Sequence, residues 1–216
     1  MLLIFDWDGT LIDSTGKIVR CMQAAIAEQN LPSLPDEAVR NIIGLGLPEA
    51  LRTLFPAAQP GVLERLREDY ARHFIAADQQ PCAFFPGVKG TLDALRARGC
   101  ALAVATGKSR RGLDRVLANL GMSRYFEATR CADETRSKPH PQMLHELLSE
   151  LGAGPDQALM VGDTEYDLAM ANAAGMASVA VRYGAHAPER LAGHRPLATL
   201  EHFDQLIAVL DGMPGR

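Results

Sequence analysis

Leu2-Leu3-Ile4-Phe5-Asp6-Trp7-Asp8-Gly9-Thr10 is the stretch from which the rest of the chain is read. Four apolar residues run without alternation and end at two carboxylates spaced two apart, followed by a glycine. A short uninterrupted apolar run fits a strand covered on both faces, the usual condition of a parallel sheet. Gly9 permits a sharp turn, so both carboxylates leave the same strand end. Alone, the pair reads as well as a capped turn.

Three further runs of this kind lie at 101–105, 158–161 and 178–181, and helical patterns at 88–98, 110–120, 142–151 and 166–174 separate most of them. Gly99, Gly121, Gly152 and Gly175 stand where helix C-caps are expected. Strand and helix in alternation predict an α/β fold built on a mainly parallel sheet. The second strand is delayed: positions 15–84 carry only helical patterns, at 16–28, 35–43, 48–54 and 61–77. In the last of these Leu63, Leu66, Tyr70 and Phe74 share a face. The expected organisation is an α/β core of 1–14 and 85–216 with a helical insert, 15–84, near the carboxyl ends of the strands, where open α/β sheets bind ligands.

Of 216 residues, 47% are hydrophobic and 22% charged, enough to bury a core without covalent staples. The net charge of −4 and the absence of any basic run longer than Arg110-Arg111 argue against a nucleic-acid partner. No apolar run approaches the roughly 18 residues that span a bilayer, so no membrane partner is expected and the cytoplasm is the default location. Cys21, Cys82, Cys100 and Cys131 form no C-x-x-C pair and read as free thiols.

Three more segments join Asp6 and Asp8. Thr106-Gly107-Lys108-Ser109 follows an apolar run, and a hydroxyl with the N–H groups of a helix start can hold a phosphate oxygen, although Ser109 can equally be a plain N-cap. Lys138-Pro139-His140-Pro141 fixes a lysine on a rigid turn, unless that lysine is only solvated, and His140 reads as a loop or capping residue. Gly162-Asp163-Thr164-Glu165-Tyr166-Asp167 follows a third run; Asp163 and Asp167 share a face at a helix start, with Asp163 as N-cap the plainer alternative. In a parallel sheet these strand ends converge. Asp6, Asp8 and Asp163 in one cleft repel unless a cation joins them, and an oxygen-only donor set suits Mg²⁺.

DWDGT, TGKS, the Lys138-Pro139 pair and GDTEYD together resemble motifs one to four of the haloacid dehalogenase superfamily. The insert after the first motif resembles the phosphoglycolate phosphatase-like branch. That resemblance implies a Rossmann-like core with a mobile helical cap, and a Mg²⁺-dependent phosphatase acting on a small phosphorylated metabolite through an aspartyl-phosphate. It further implies Asp6 as nucleophile and Asp8 as general acid and base. Thr106, Gly107 and Lys138 hold the phosphoryl group in the family pattern. The metal is held by Asp6, the Asp8 backbone carbonyl and Asp163, with Asp167 acting from behind or through water. Trp7 stands where Phe, Leu or Met is more usual, with its side chain expected to point away from the site.

The rival within the family is a β-phosphoglucomutase-like enzyme, which returns the phosphoryl group to the sugar. A non-catalytic phosphate-binding relative is the other alternative. Gly44-x-Gly46 lacks a third glycine and a preceding strand, so a helix–helix turn is the better reading than a dinucleotide fingerprint. The segment 44–49 is expected to reach the cleft, with Arg40 or Arg52 anchoring an anionic leaving group. Phosphoglycolate, sugar phosphates, nucleoside monophosphates and pyrophosphate all remain open as substrates, and the chain is expected to be a monomer or homodimer.

Overall fold

The computed structural model describes residues 1–79 and 81–213. Six strands form one sheet: β1 (Leu2–Phe5), β2 (Ala101–Thr106), β3 (Ala128–Cys131), β4 (Ala158–Gly162), β5 (Ala177–Val181) and β6 (Ala198–Leu200). Their order is β3-β2-β1-β4-β5-β6, and every pairing is parallel. β1 lies at the centre, with Leu3 opposite Leu102 on one side and Leu159 on the other.

The apolar runs are continuous because both faces are covered. Leu3, Phe5, Leu102, Val104 and Val161 turn to one face, packing on α5 (Val88–Ala97), α6 (Arg110–Asn119) and α10 (Gln205–Asp211). Leu2, Ile4, Ala103 and Met160 turn to the other, against α7 (Gln142–Leu151) and α8 (Glu165–Ala173). Trp7 belongs to the first layer, 1% exposed, with its ring edge-on to Phe84 and Phe126. The two strands that the apolar pattern does not reveal, β3 and β6, are the sheet edges. The middle residues of β3 are only partly buried and that of β6, Thr199, is exposed, so neither needs an unbroken hydrophobic run.

Four helices intervene between β1 and α5: α1 (Thr15–Glu28), α2 (Asp36–Asn41), α3 (Leu47–Leu54) and α4 (Pro60–Ala77). They have an apolar centre of their own, in which Val19, Met22, Val39, Leu51 and Leu66 meet, with Leu63 and Tyr70 packed on it. Phe74 closes a second small cluster with Ile18, Cys21 and Ile43. The two chain crossings into this helical unit run side by side: Asp13 N donates to Ala83 O at 3.0 Å, and Phe85 N to Leu11 O at 3.0 Å. All four cysteines are free. Among the described residues, no helix is long and apolar enough to cross a membrane.

Leu3 is fully buried at the centre of the sheet, so Leu3→Ala removes packing that the neighbouring strands cannot refill. The expected loss is about 3 kcal/mol in urea denaturation. A loss below about 1 kcal/mol would mean that the central strand is not the tightly packed element described here.

Candidate active site

The strand order reverses between β1 and β4, the place where open α/β sheets form a crevice at their carboxyl ends. Asp6 follows β1 and is held level with β4 by its backbone N–H donating to Val161 O at 3.0 Å. Asp163 follows β4. Thr10 Oγ1 donates to its Oδ1 at 2.8 Å and Ala185 N to its Oδ2 at 2.7 Å. Gly9 takes φ +83°, and a Cβ there would overlap the Asp163 carboxylate. The tight turn after Asp8 is what lets the two strand ends approach.

Lys138 lies between two acids. Its Nζ donates to Asp6 Oδ1 and to Asp167 Oδ1, both at 2.6 Å, and the side chain is 1% exposed. The solvated-lysine reading of this residue is therefore wrong. Asp167 is fixed from its other oxygen by Thr164, through the backbone N at 3.1 Å and Oγ1 at 2.7 Å. Thr164, not Asp163, is the N-cap of α8, in a reciprocal capping box with Asp167. That frees Asp163 from a capping task.

Asp6, Asp163 and Asp167 each present an oxygen within 4.8 Å of the others, and all three are buried. One ammonium faces three carboxyls. Burial, with the charge on Asp167 adding, pushes Asp163 up to about 7 against the Thr10 and Ala185 hydrogen bonds. Burial also raises Asp6, opposed by Lys138. Burial alone would lower Lys138, but Asp167 and Asp6 outweigh it and hold the lysine protonated. Among the described residues Asp6 Oδ2 is buried without a donor. An all-oxygen, electron-rich set with one orphaned carboxylate oxygen fits a hard divalent cation.

Asp8 points elsewhere. Its Oδ1 accepts from Ser14 Oγ at 2.6 Å and pairs with Lys108 Nζ at 3.0 Å. Asp6 and Asp8 both border a cavity of about 410 Å³ beneath α1–α4. Thr106 is fully buried at the end of β2, where its Oγ1 accepts from Lys108 N at 3.2 Å. A Cβ on Gly107 would meet the carbonyls of Leu45 and Gly44 at 2.5 and 2.7 Å, so only glycine lets this turn approach the helical unit. Ser109 caps α6 and His140 accepts from Gln142 N at 3.2 Å, the plain roles expected of both.

The helical unit is fastened over this edge. The Asn41 carbonyl, at the end of α2, accepts from Tyr166 OH at 2.8 Å and from His186 Nε2 at 3.1 Å. His186 Nδ1 accepts from Glu165 N at 3.2 Å, so the proton of the neutral ring sits on Nε2, and burial lowers the pKa. Gly46 N donates to Ser137 Oγ at 2.7 Å, and Asp78 takes Lys17 Nζ at 2.5 Å and Arg115 Nε at 2.8 Å.

A family model for haloacid dehalogenase-like hydrolases matches residues 3–181. The chain belongs to that family. It is 35% identical over 95% of its length to "Probable phosphatase IndB" of Dickeya dadantii, covering 91% of that protein. It is 33% identical to the phosphoglycolate phosphatase of Yersinia pestis, covering 97% of this chain and 92% of that one. Among solved structures, a predicted phosphoglycolate phosphatase from Haemophilus somnus superposes with TM-score 0.87, at 26% identity over 97% of both chains.

In this haloacid dehalogenase-like hydrolase the expected anchors Arg40 and Arg52 do not reach the cavity. Both are exposed, and Arg52 pairs with Glu49 in its own helix at 2.8 Å. The arginines that do border the cavity are Arg67 on α4 and Arg111 and Arg115 on α6. The turn 44–49 does contribute, through Gly44, Leu45, Leu47 and Pro48, and Gly44-x-Gly46 is the helix–helix turn expected. Thr10, Ser14, Lys108 and Thr164 also hold the site together, in roles that the motif pattern does not assign. Thr10, Lys108 and Thr164 lie within the motif segments themselves, and the Thr164-x-x-Asp167 spacing is the sequence signal for a capping box.

Asp163 has a folded pKa near 7, above the ordinary carboxylate value. The stability tied to its protonated form is present below about pH 4 and is lost as pH rises through 7. In EDTA, acidification from pH 8 to pH 5 should raise Tm less in Asp163→Asn than in the unaltered protein. Equal pH dependence in both would contradict a buried, strongly raised carboxyl at this position.

Proposed function

We propose that the protein is a Mg²⁺-dependent phosphatase that hydrolyses a phosphate monoester of a small metabolite through an aspartyl-phosphate on Asp6. The observation that carries this reading is the placement of Asp6: at the cavity edge, one oxygen pinned by Lys138 and the other buried without a donor. The family membership and the phosphatase names of the relatives support it.

In the proposed reaction an Asp6 oxygen attacks phosphorus, the bond to the leaving oxygen breaks, and Asp8 delivers a proton to the departing alcohol. Asp8 then takes a proton from water, whose oxygen attacks phosphorus, releasing inorganic phosphate and restoring the Asp6 carboxylate. Ser14 and Lys108 orient Asp8 for both transfers. Thr106, the Gly107 backbone and Lys138 take the phosphoryl oxygens, Lys138 also neutralising charge that grows in the transition state. Asp6, Asp163 and the Asp8 backbone carbonyl would hold Mg²⁺, which supplies the positive charge that this acidic pocket lacks; Asp167 acts behind them by holding Lys138. The unit 15–84 serves as a cap over a core of 1–14 and 85–216, closing to exclude water during transfer.

Turnover of p-nitrophenyl phosphate should vanish in EDTA and return with Mg²⁺. Asp6→Asn should lower kcat by about a hundredfold or more with unchanged circular dichroism, because no neighbouring group replaces the attacking carboxylate. Full activity in chelator, or an Asp6→Asn enzyme within about tenfold of the unaltered rate, would contradict the proposal.

A further inference from the structure

The cavity at Asp6 and Asp8 is larger and more apolar than a phosphate and a short hydroxy acid require. Its volume of about 410 Å³ falls among pockets that enclose drug-sized ligands, about 300–1,000 Å³. The cap side is walled by Ile18 and Met22 of α1, Ile43 and Leu47 around the turn, and Phe74 and Ile75 of α4. Ile75, one of the residues lining this cavity, is 47% exposed. Three of the four cations on the wall are already matched. Lys108 pairs with Asp8 at 3.0 Å, Arg67 is held by both oxygens of Glu64 at 2.5 and 2.9 Å, and Arg115 is held by Asp78 at 2.8 Å. Arg111, the remaining arginine of the wall, is exposed to solvent. A carboxylate held against the cap wall would leave water to face apolar side chains, which costs free energy unless it turns away to Arg111. Carbon in that place gains it instead.

The geometry points to a substrate class for this cavity: phosphate monoesters whose alcohol is bulky and mainly apolar, extending well beyond the two carbons of glycolate. This deepens the phosphatase reading above and rests on it. Asp6 and Asp8 handle the phosphoryl group at one pole, and the cap wall selects the alcohol by the apolar area that it buries. Tyr70 also borders the cavity, and its phenol, neutral at pH 7 and with burial raising it further, adds no charge to the wall.

The test is a rate series on the unaltered protein with Mg²⁺ at pH 7: ethyl, butyl, hexyl and 2-phenylethyl phosphate, 2-phosphoglycolate, and p-nitrophenyl phosphate as a reporter of the phosphoryl chemistry. The alkyl alcohols have similar acidity, so differences in kcat/KM report binding of the alcohol. We expect kcat/KM to rise by about two- to fourfold for each added methylene until the wall is covered. Hexyl and 2-phenylethyl phosphate should then exceed 2-phosphoglycolate by about tenfold or more. Ala71→Trp, which fills the cavity from α4, should cut the hexyl-to-ethyl ratio by about tenfold. A flat series, or 2-phosphoglycolate as the best ester while p-nitrophenyl phosphate is turned over, would overturn the substrate class and leave the phosphatase reading standing. No turnover of any of these esters would overturn both.

Discussion

A single buried ammonium, Lys138 Nζ, lies 2.6 Å from both Asp6 and Asp167, and the site is arranged around it. Removing one partner of such a buried ion pair costs about 3–5 kcal/mol, because the other charges stay desolvated and unmatched. The arrangement stands only because three distant segments deliver their groups to one place. β1 brings Asp6, the turn before α7 brings Lys138, and the first turn of α8 brings Asp167, held by Thr164. Parallel packing of β1 on β4 sets the spacing, and the left-handed backbone of Gly9 lets Asp163 close in.

One lysine does not balance three buried carboxyls. Burial, with the neighbouring carboxyl charges adding, raises both Asp163 and Asp6, and one Asp6 oxygen has no donor among the described residues. A folded protein tolerates this electrostatic cost where the same arrangement serves chemistry. In the proposed reading it offers a place to a cation, and it leaves one oxygen of Asp6 without a hydrogen bond while Lys138 holds the other. The neighbouring Asp8 is removed from this cluster and tied to Ser14 and Lys108, so two carboxyls two residues apart face different surroundings. Different surroundings suit different tasks.

The buried strands were legible in the sequence because β1, β2, β4 and β5 are covered on both faces and need unbroken apolar runs. β3 and β6 sit at the edges, and their half-buried or exposed middles leave no such trace. Asp6, Asp163 and Thr106 were legible for a related reason: each closes or follows a buried run, and parallel strands place such ends together. The bond between Lys138 and Asp167 was not, because it depends on how α7 and α8 are docked rather than on local spacing. Arg40 and Arg52 are near the cap turn along the chain but do not line the cavity. The arginines at the cavity stand on α4 and on α6 of the sheet's own helices, where the phase of each helix, not distance along the chain, decides what faces inward.

The central claim is that Asp6 forms the bond to phosphorus while Lys138 and a cation hold the charge. The most direct measurement is a crystal structure of the unaltered protein with Mg²⁺ and beryllium trifluoride, which mimics a phosphoryl group on a carboxylate. The account predicts beryllium bonded to an Asp6 oxygen, Mg²⁺ on Asp6 and Asp163, and Lys138 in contact with a fluoride. Beryllium on another side chain, or Mg²⁺ bound away from Asp163 with Asp6 unmodified, would contradict it.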